Sequence, residues 1–244
     1  MRARPLRLLT AVVTAGIAVG GLSACGLTRE NFEDDATLSQ KITSVRLDTG
    51  SGGVTLRGKE GATEVRMHRY VEYGGDRPEG ATHRVENGVL ILNGCGEDCS
   101  VAYDIDLPAG LPVTGGTGSG AVKLSGAGAV KVTTGSGAID LFDTLGPVDV
   151  RAGSGAITGR GLKGGPVEAE TGSGAITLTV SSPQDVRAEA GSGAVTLTTP
   201  GSGRYQVTAE TKSGGQDIAV PNDPSGTRRL QLKTGSGAIT VKRS

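Results

Sequence analysis

The chain has 244 residues, with 25 Lys+Arg against 25 Asp+Glu, 42 Gly, four Tyr, two Phe and no Trp. So few rings rule out a large aromatic core, and the balanced charge argues against a nucleic-acid partner, which needs an excess of Lys and Arg to release counterions. Glycine at this density means either disorder or a repeat full of tight turns.

The first segment reads as a targeting signal. Arg2, Arg4 and Arg7 form a positive n-region, and Leu8 to Val19 is an apolar run too short to span a bilayer comfortably. The run leads into Leu22-Ser23-Ala24-Cys25, which resembles the lipobox of bacterial lipoproteins. That resemblance implies a signal peptide over residues 1–24, cleavage before Cys25, and a diacylglycerol on the Cys25 sulfur. The expected location is the extracytoplasmic face of the cell membrane, where two or more acyl chains hold a protein stably. Residues 25–41 are then the lipidated Cys and a polar, acidic stretch with little periodicity (Glu30, Glu33, Asp34, Asp35). They read as a flexible tether, about 20 Å of reach, with a missed first strand as the alternative.

Cys95 and Cys99 remain, in Gly94-Cys95-Gly96-Glu97-Asp98-Cys99. An even pair in an exported protein reads as a structural disulfide. The rivals are a half metal site completed by His68 or His83, and a redox pair, although redox motifs usually space the sulfurs by two residues. No metal or cofactor is expected. Residues 42–112 show apolar alternation in Val65-Arg66-Met67, Gly88 to Leu92 and Val101 to Leu107, broken by loops such as Gly74-Gly75-Asp76-Arg77-Pro78. They are expected to form irregular β coils that cap the fold, with about three larger coils in the 68-residue gap between Ser51 and Ser119.

From residue 113 to 244 a repeat dominates. Gly-Ser-Gly centres on Ser51, Ser119, Ser136, Ser154, Ser173, Ser192 and Ser236, with Lys212-Ser213-Gly214 as a variant, and from Ser119 the spacings are 17, 18, 19, 19, 21 and 23 residues. Six residues before the eight serines stand seven Val and one Leu; three after them stand Val or Ile, except Gln216; five after them an aliphatic, except Gly159. This is period-two alternation on both sides of a glycine corner, hence two short half-buried strands per unit. Flexible linkers do not hold aliphatics in register, and glycine at this density disfavours helix. The expected fold is all-β: a single-stranded parallel β-solenoid with one unit per coil, advancing about 4.8 Å each. Glycine is expected to supply positive φ at the bend, and Ser and Thr to bond the backbone there. Stacking in sequence order places Lys131 against Asp149, Arg151 against Glu170 and Glu168 against Arg187, with Glu170, Glu189 and Glu210 as an acidic stripe. It also leaves Ile239 to Ser244 as an end strand protected only by basic residues.

The N-terminal alternation, the Asp106-Leu107-Pro108-Ala109-Gly110 segment and the Gly-Ser-Gly-Ala-Val/Ile coils resemble the bacterial β-strand-repeat proteins of the putative-adhesin family, over roughly residues 42 to 244. The resemblance implies a β-solenoid exposed at the cell envelope and transfers no catalytic or ligand residue. Chemistry is otherwise sparse. Gly116 to Gly120 lacks the Lys and the helix of a phosphate loop, and Ala or Gly, never Asp, follows the corners where calcium nonapeptides need Asp. Thr177 and Thr179 stack over Thr196 and Thr198, an array too small for an ice-binding surface.

The function expected from all this is a non-enzymatic, lipid-anchored envelope solenoid presenting an elongated interaction or adhesion surface. Its partners would be the membrane, through the anchor, an envelope protein or glycan, and another copy met end to end. The alternatives are an envelope-stress or signalling accessory and a polysaccharide-acting β-helix enzyme.

Overall fold

The computed structural model describes residues 29–244. The expected signal peptide, the lipobox-like segment and Cys25 lie outside them. The N-terminal part holds β1 (Arg29–Leu38), β2 (Ser44–Thr49), β3 (Val54–Lys59), β4 (Val65–Gly74), β5 (His83–Glu86), β6 (Val89–Asn93) and β7 (Cys99–Pro108). Then come paired strands, two to a coil: β8 (Val113–Thr117) with β9 (Val122–Ser125), β10 (Val130–Thr134) with β11 (Ile139–Phe142), β12 (Val148–Ala152) with β13 (Ile157–Leu162). The series continues with β14 (Val167–Ser173) and β15 (Ile176–Val180), β16 (Val186–Ser192) and β17 (Val195–Thr199), β18 (Tyr205–Ser213) and β19 (Gln216–Ile218), β20 (Arg228–Ser236) and β21 (Ile239–Arg243).

One strand of each coil joins a ten-stranded sheet, in the order β18-β20-β16-β14-β12-β10-β8-β2-β6-β5; the other joins an eleven-stranded sheet, β1-β4-β7-β3-β9-β11-β13-β15-β17-β21-β19. The chain is thus an all-β parallel β-solenoid, and its two sheets share one core. Val113, Val130, Val148, Val167 and Val186 form one continuous column, each in register with the next and at most 2 % exposed. On the facing sheet Val122, Ile139, Ile157, Ile176 and Val195 do the same at 0 %. Burying one such aliphatic is worth roughly 1.5–3 kcal/mol, so the columns set the register. Gly159, the gap in its column, is filled by its own coil: the strand bulges between Gly159 and Leu162, and Leu162 Cδ1 would lie 2.7 Å from a Cβ at Gly159.

Three expectations change. First, Arg29–Leu38 is not tether but strand β1, paired antiparallel to β4 along its whole length. Its alternation is disguised because the inward set, Phe32, Asp34, Ala36 and Leu38, includes a charge. Asp34 is met by Arg69, whose guanidinium also donates to Thr82 Oγ1 at 2.9 Å. Second, residues 60–112 do not make three coils. They supply one parallel coil, β6 and β7, while β4 and β5 pair antiparallel with their neighbours. Third, the last coil is not the end of the stack. β20 lies between β16 and β18, and β21 between β17 and β19. The more apolar coil takes the inner place: Leu230, Leu232, Ile239 and Val241 are buried, while the outer coil carries Ala209 and the exposed Gln216.

Candidate functional site

The Gly-Ser-Gly corner is the most repeated surface. Its ladder of hydrogen bonds runs unbroken round the bend: the amides of Ser136, Ser154 and Ser173 donate to the carbonyls of Gly118, Gly135 and Gly153, each at 3.1 Å. The coils therefore touch backbone to backbone, and this is what glycine is for. A Cβ on Gly137 would lie 2.0 Å from the Gly120 carbonyl oxygen, and one on Gly155 1.8 Å from that of Gly137. Neither glycine has positive φ, nor have Gly120 and Gly174, so at these corners contact and not φ demands glycine; at Gly52, Gly193, Gly214 and Gly237 the φ is positive, as expected. The corner threonines act as expected: Thr171 Oγ1 donates to the Gly155 carbonyl (2.8 Å) and Thr234 Oγ1 to Gly193 (2.8 Å). The corner serines do not. They are exposed, and among the described residues their hydroxyls hold no partner within the fold. Gly116 to Gly120 is one such corner, following a strand and not preceding a helix.

Outward side chains of the ten-stranded sheet form a grid of ion pairs. Lys131 Nζ sits 3.4 Å from Asp149, and Arg151 Nη1 is 2.6 Å from Asp149, with its Nε 3.4 Å from Glu170. Glu168 and Arg187 are in register. Exposed pairs of this kind are worth about 0.2–1 kcal/mol each; their sign pattern specifies register more than it stabilises. The acidic stripe is corrected by the coil order. Glu170 faces Glu189, but Lys233 then stands between Glu189 and Glu210. On the other sheet a threonine ladder runs Thr158, Thr177, Thr196, Thr240, longer than two coils, because the last coil lies directly against β17.

The cap holds the buried polar chemistry. Tyr103, 2 % exposed, places its hydroxyl 2.5 Å from the Thr82 carbonyl and 2.8 Å from that of Asn93, and burial pushes its ionisation up to about 12. Arg69 holds the Asp34 carboxyl below the usual carboxylate range. Burial lowers His83, whose Nδ1 has no partner among the described residues. His68 lies on the opposite, exposed face, 2.9 Å from Asp35, which raises its pKa. Cys95 and Cys99 are joined by a disulfide with their Cα atoms 5.7 Å apart, closing the turn between β6 and β7. The two histidines are therefore not brought to the cysteines, and among the described residues no group of three His, Cys, Asp or Glu side chains is placed to hold a metal. The Arg69–Asp34–Thr82 cluster was not visible as a site in the sequence; a lone Asp among alternating apolar residues was its only signal.

This is a capped, two-layer parallel β-solenoid whose sides are repeated surfaces; its buried polar groups, the Arg69–Asp34–Thr82 cluster of the cap and the Thr199–Tyr205 hydroxyl pair of the coils (2.6 Å), serve packing. Residues 36–242 match the family model described as Toastrack DUF4097, and the chain belongs to that family. Among solved structures it is similar to a putative cell adhesion protein from Clostridium sporogenes ATCC 15579, at 15% identity and TM-score 0.43, covering 88% of this chain and 100% of that one. It is also similar to a putative adhesin from Bacteroides fragilis NCTC 9343, at 13% identity and TM-score 0.42, covering 88% and 97%. No curated protein matches it.

Proposed function

We propose that the protein is a non-enzymatic, lipid-anchored solenoid of the cell envelope that presents its elongated body as an adhesion or interaction surface. The observation that carries this reading is the polarity of the body. β1 lies at one extreme of its sheet, with three residues of sequence between its first residue, Arg29, and Cys25 of the lipobox-like segment, and β18 and β19 lie at the other extreme. Nine parallel strands from β6 to β18 span about 40 Å at the ordinary strand spacing. A body anchored through Cys25 would stand on its cap with the β18–β19 coil farthest from the lipid. Because β1 begins at Arg29, the cap would sit close to the headgroups, without the 20 Å lift of a flexible tether.

The ion-paired flanks support a binding role over a catalytic one: Lys131 and Arg151 are engaged across strands by Asp149 and Glu170. The anchor is tested by Cys25→Ala in the native host. Loss of the chain from the membrane fraction is the expected result, and unchanged membrane retention would refute the anchor.

A further inference from the structure

The end of the solenoid remote from the cap is open. β18 and β19 have a partner strand on one side only. Their inward residues Val207, Ala209 and Ile218 are half-buried, whereas Leu230, Leu232 and Val241 one coil inside are at most 1 % exposed. Part of the β18 edge is already occupied. The Val207 amide donates to Asn222 Oδ1 at 2.9 Å, and the Asp223 amide donates to the Tyr205 carbonyl at 2.8 Å. That loop is held in turn by Arg204 and Ser225 on the Asp223 carboxylate, at 2.7 Å each. Alternate residues of a parallel strand point their amide and carbonyl to the same side. Ala209 and Thr211 therefore present theirs on the edge that Val207 uses, beyond the reach of the loop.

We propose that this edge binds a second copy of the chain, β18 antiparallel to β18, about a two-fold axis through Thr211. The charges select that register. With Thr211 opposite its own copy, Glu210 faces the partner subunit's Lys212 and Lys212 faces the partner subunit's Glu210. A two-residue slip (one position of the axis) either way sets Glu210 against Glu210 or Lys212 against Lys212. Both side chains are exposed, and neither is in an ion pair among the described residues. Of the backbone groups in that register, those of Ala209 and Thr211 are free at the edge, whereas the Ser213 carbonyl is held by the Gly237 amide at 2.8 Å, so the pairing is short and stops where the Asn222 loop begins. The pairing covers Val207, Ala209 and Ile218, the half-buried end of the core. An isologous contact of this kind closes at two copies.

The proposal rests on the adhesive reading above and names its partner. The two-fold axis turns the caps of the two copies in opposite directions, so the pair would join two facing membranes rather than neighbours on one. A coil end two strands wide makes a small interface, at the low end for specific complexes. Association is therefore weak for free molecules and strong for many copies on a surface.

The test uses the full chain as processed in its host and extracted in detergent. Sedimentation reports the dimer without any need for the anchor; tethering between two vesicle populations reports its consequence. Wild-type chain should dimerise, and vesicles should tether only when both populations carry it. Ala209→Pro removes an amide that points away from β20, leaving the fold's own ladder intact, and should abolish both signals. Glu210→Lys or Lys212→Glu alone should weaken the dimer by about tenfold, two pairs becoming repulsive, and the double exchange should restore it. Far-ultraviolet circular dichroism checks that each variant is folded. Monomeric wild type, dimers indifferent to Ala209→Pro, or tethering with the chain on one population only would overturn the proposal. A dimer in detergent with no retention on vesicles would instead sink the anchor.

Discussion

The cap and the regular coils use the same residues for different purposes, and glycine shows it best. In the cap and its loops Gly61, Gly75, Gly80 and Gly96 have positive φ and no heavy atom within 4 Å of an added Cβ. There glycine is chosen for conformation. In the regular coils Gly135, Gly153 and Gly172 have the neighbouring glycine's carbonyl oxygen within 2.3–2.5 Å of that position, without positive φ. There glycine is chosen for contact, because any side chain would hold two coils apart. The cap closes an end with antiparallel strands, a disulfide and buried polar groups; the coils close nothing and simply repeat.

The largest test of that contrast is a methyl group. Gly155→Ala puts a Cβ 1.8 Å from a backbone oxygen that the packed coils cannot move cheaply, and should destabilise the fold by about 3 kcal/mol or more. Gly50→Ala, at a corner with no atom within 4 Å and no positive φ, should stay within about 0.5 kcal/mol of wild type. Denaturant midpoints measure both, and equal losses would erase the distinction. Gly61→Ala, strained only by its φ of 73°, should fall between them at about 1 kcal/mol.

Next in size is a test confined to the cap. The Tyr103 phenol ionises near 10 in the unfolded chain and at about 12 when folded. Its contribution is whole below pH 10 and is lost as the pH rises toward 12, on the order of 2 kcal/mol by the upper limit. Tyr103→Phe should flatten that alkaline slope, read as melting temperature against pH, while leaving the neutral-to-acid profile unchanged. Replacing Cys95 and Cys99 by Ser opens a loop of only five residues and should cost about 2 kcal/mol in the chain-entropy account. Smaller still is the corner bond. Thr171→Val keeps the shape and removes the donor to Gly155, for a loss of about 1 kcal/mol.

What the sequence made legible follows the same division. Where burial is purely aliphatic, as at Val130 and Val148, periodicity fixed the face and the register, and the outward partners Lys131 and Asp149 followed from it. Where burial involves a charge, periodicity failed: Asp34 hid β1 until Arg69 was seen beneath it. The order of the last coils was also hidden, because stacking in sequence order is the simplest assumption for a repeat. A signal existed in Gln216, the lapse in an otherwise aliphatic column; it sits on the outermost coil, where burial is incomplete. The open β18 edge follows from that order and could not be read without it. The serine row at the corners has no assigned role beyond being small enough to allow the approach of the coils.

One cross-linking measurement tests the stacking most directly. Glu189 lies beside Lys233, with Glu210 one coil further out, and a disulfide needs Cα atoms within about 7 Å. Glu189→Cys with Lys233→Cys should bridge readily under mild oxidation, and Glu189→Cys with Glu210→Cys should remain open. The reverse outcome would mean that the coils pile up in the order of the chain, contradicting both the inserted last coil and the free edge it leaves.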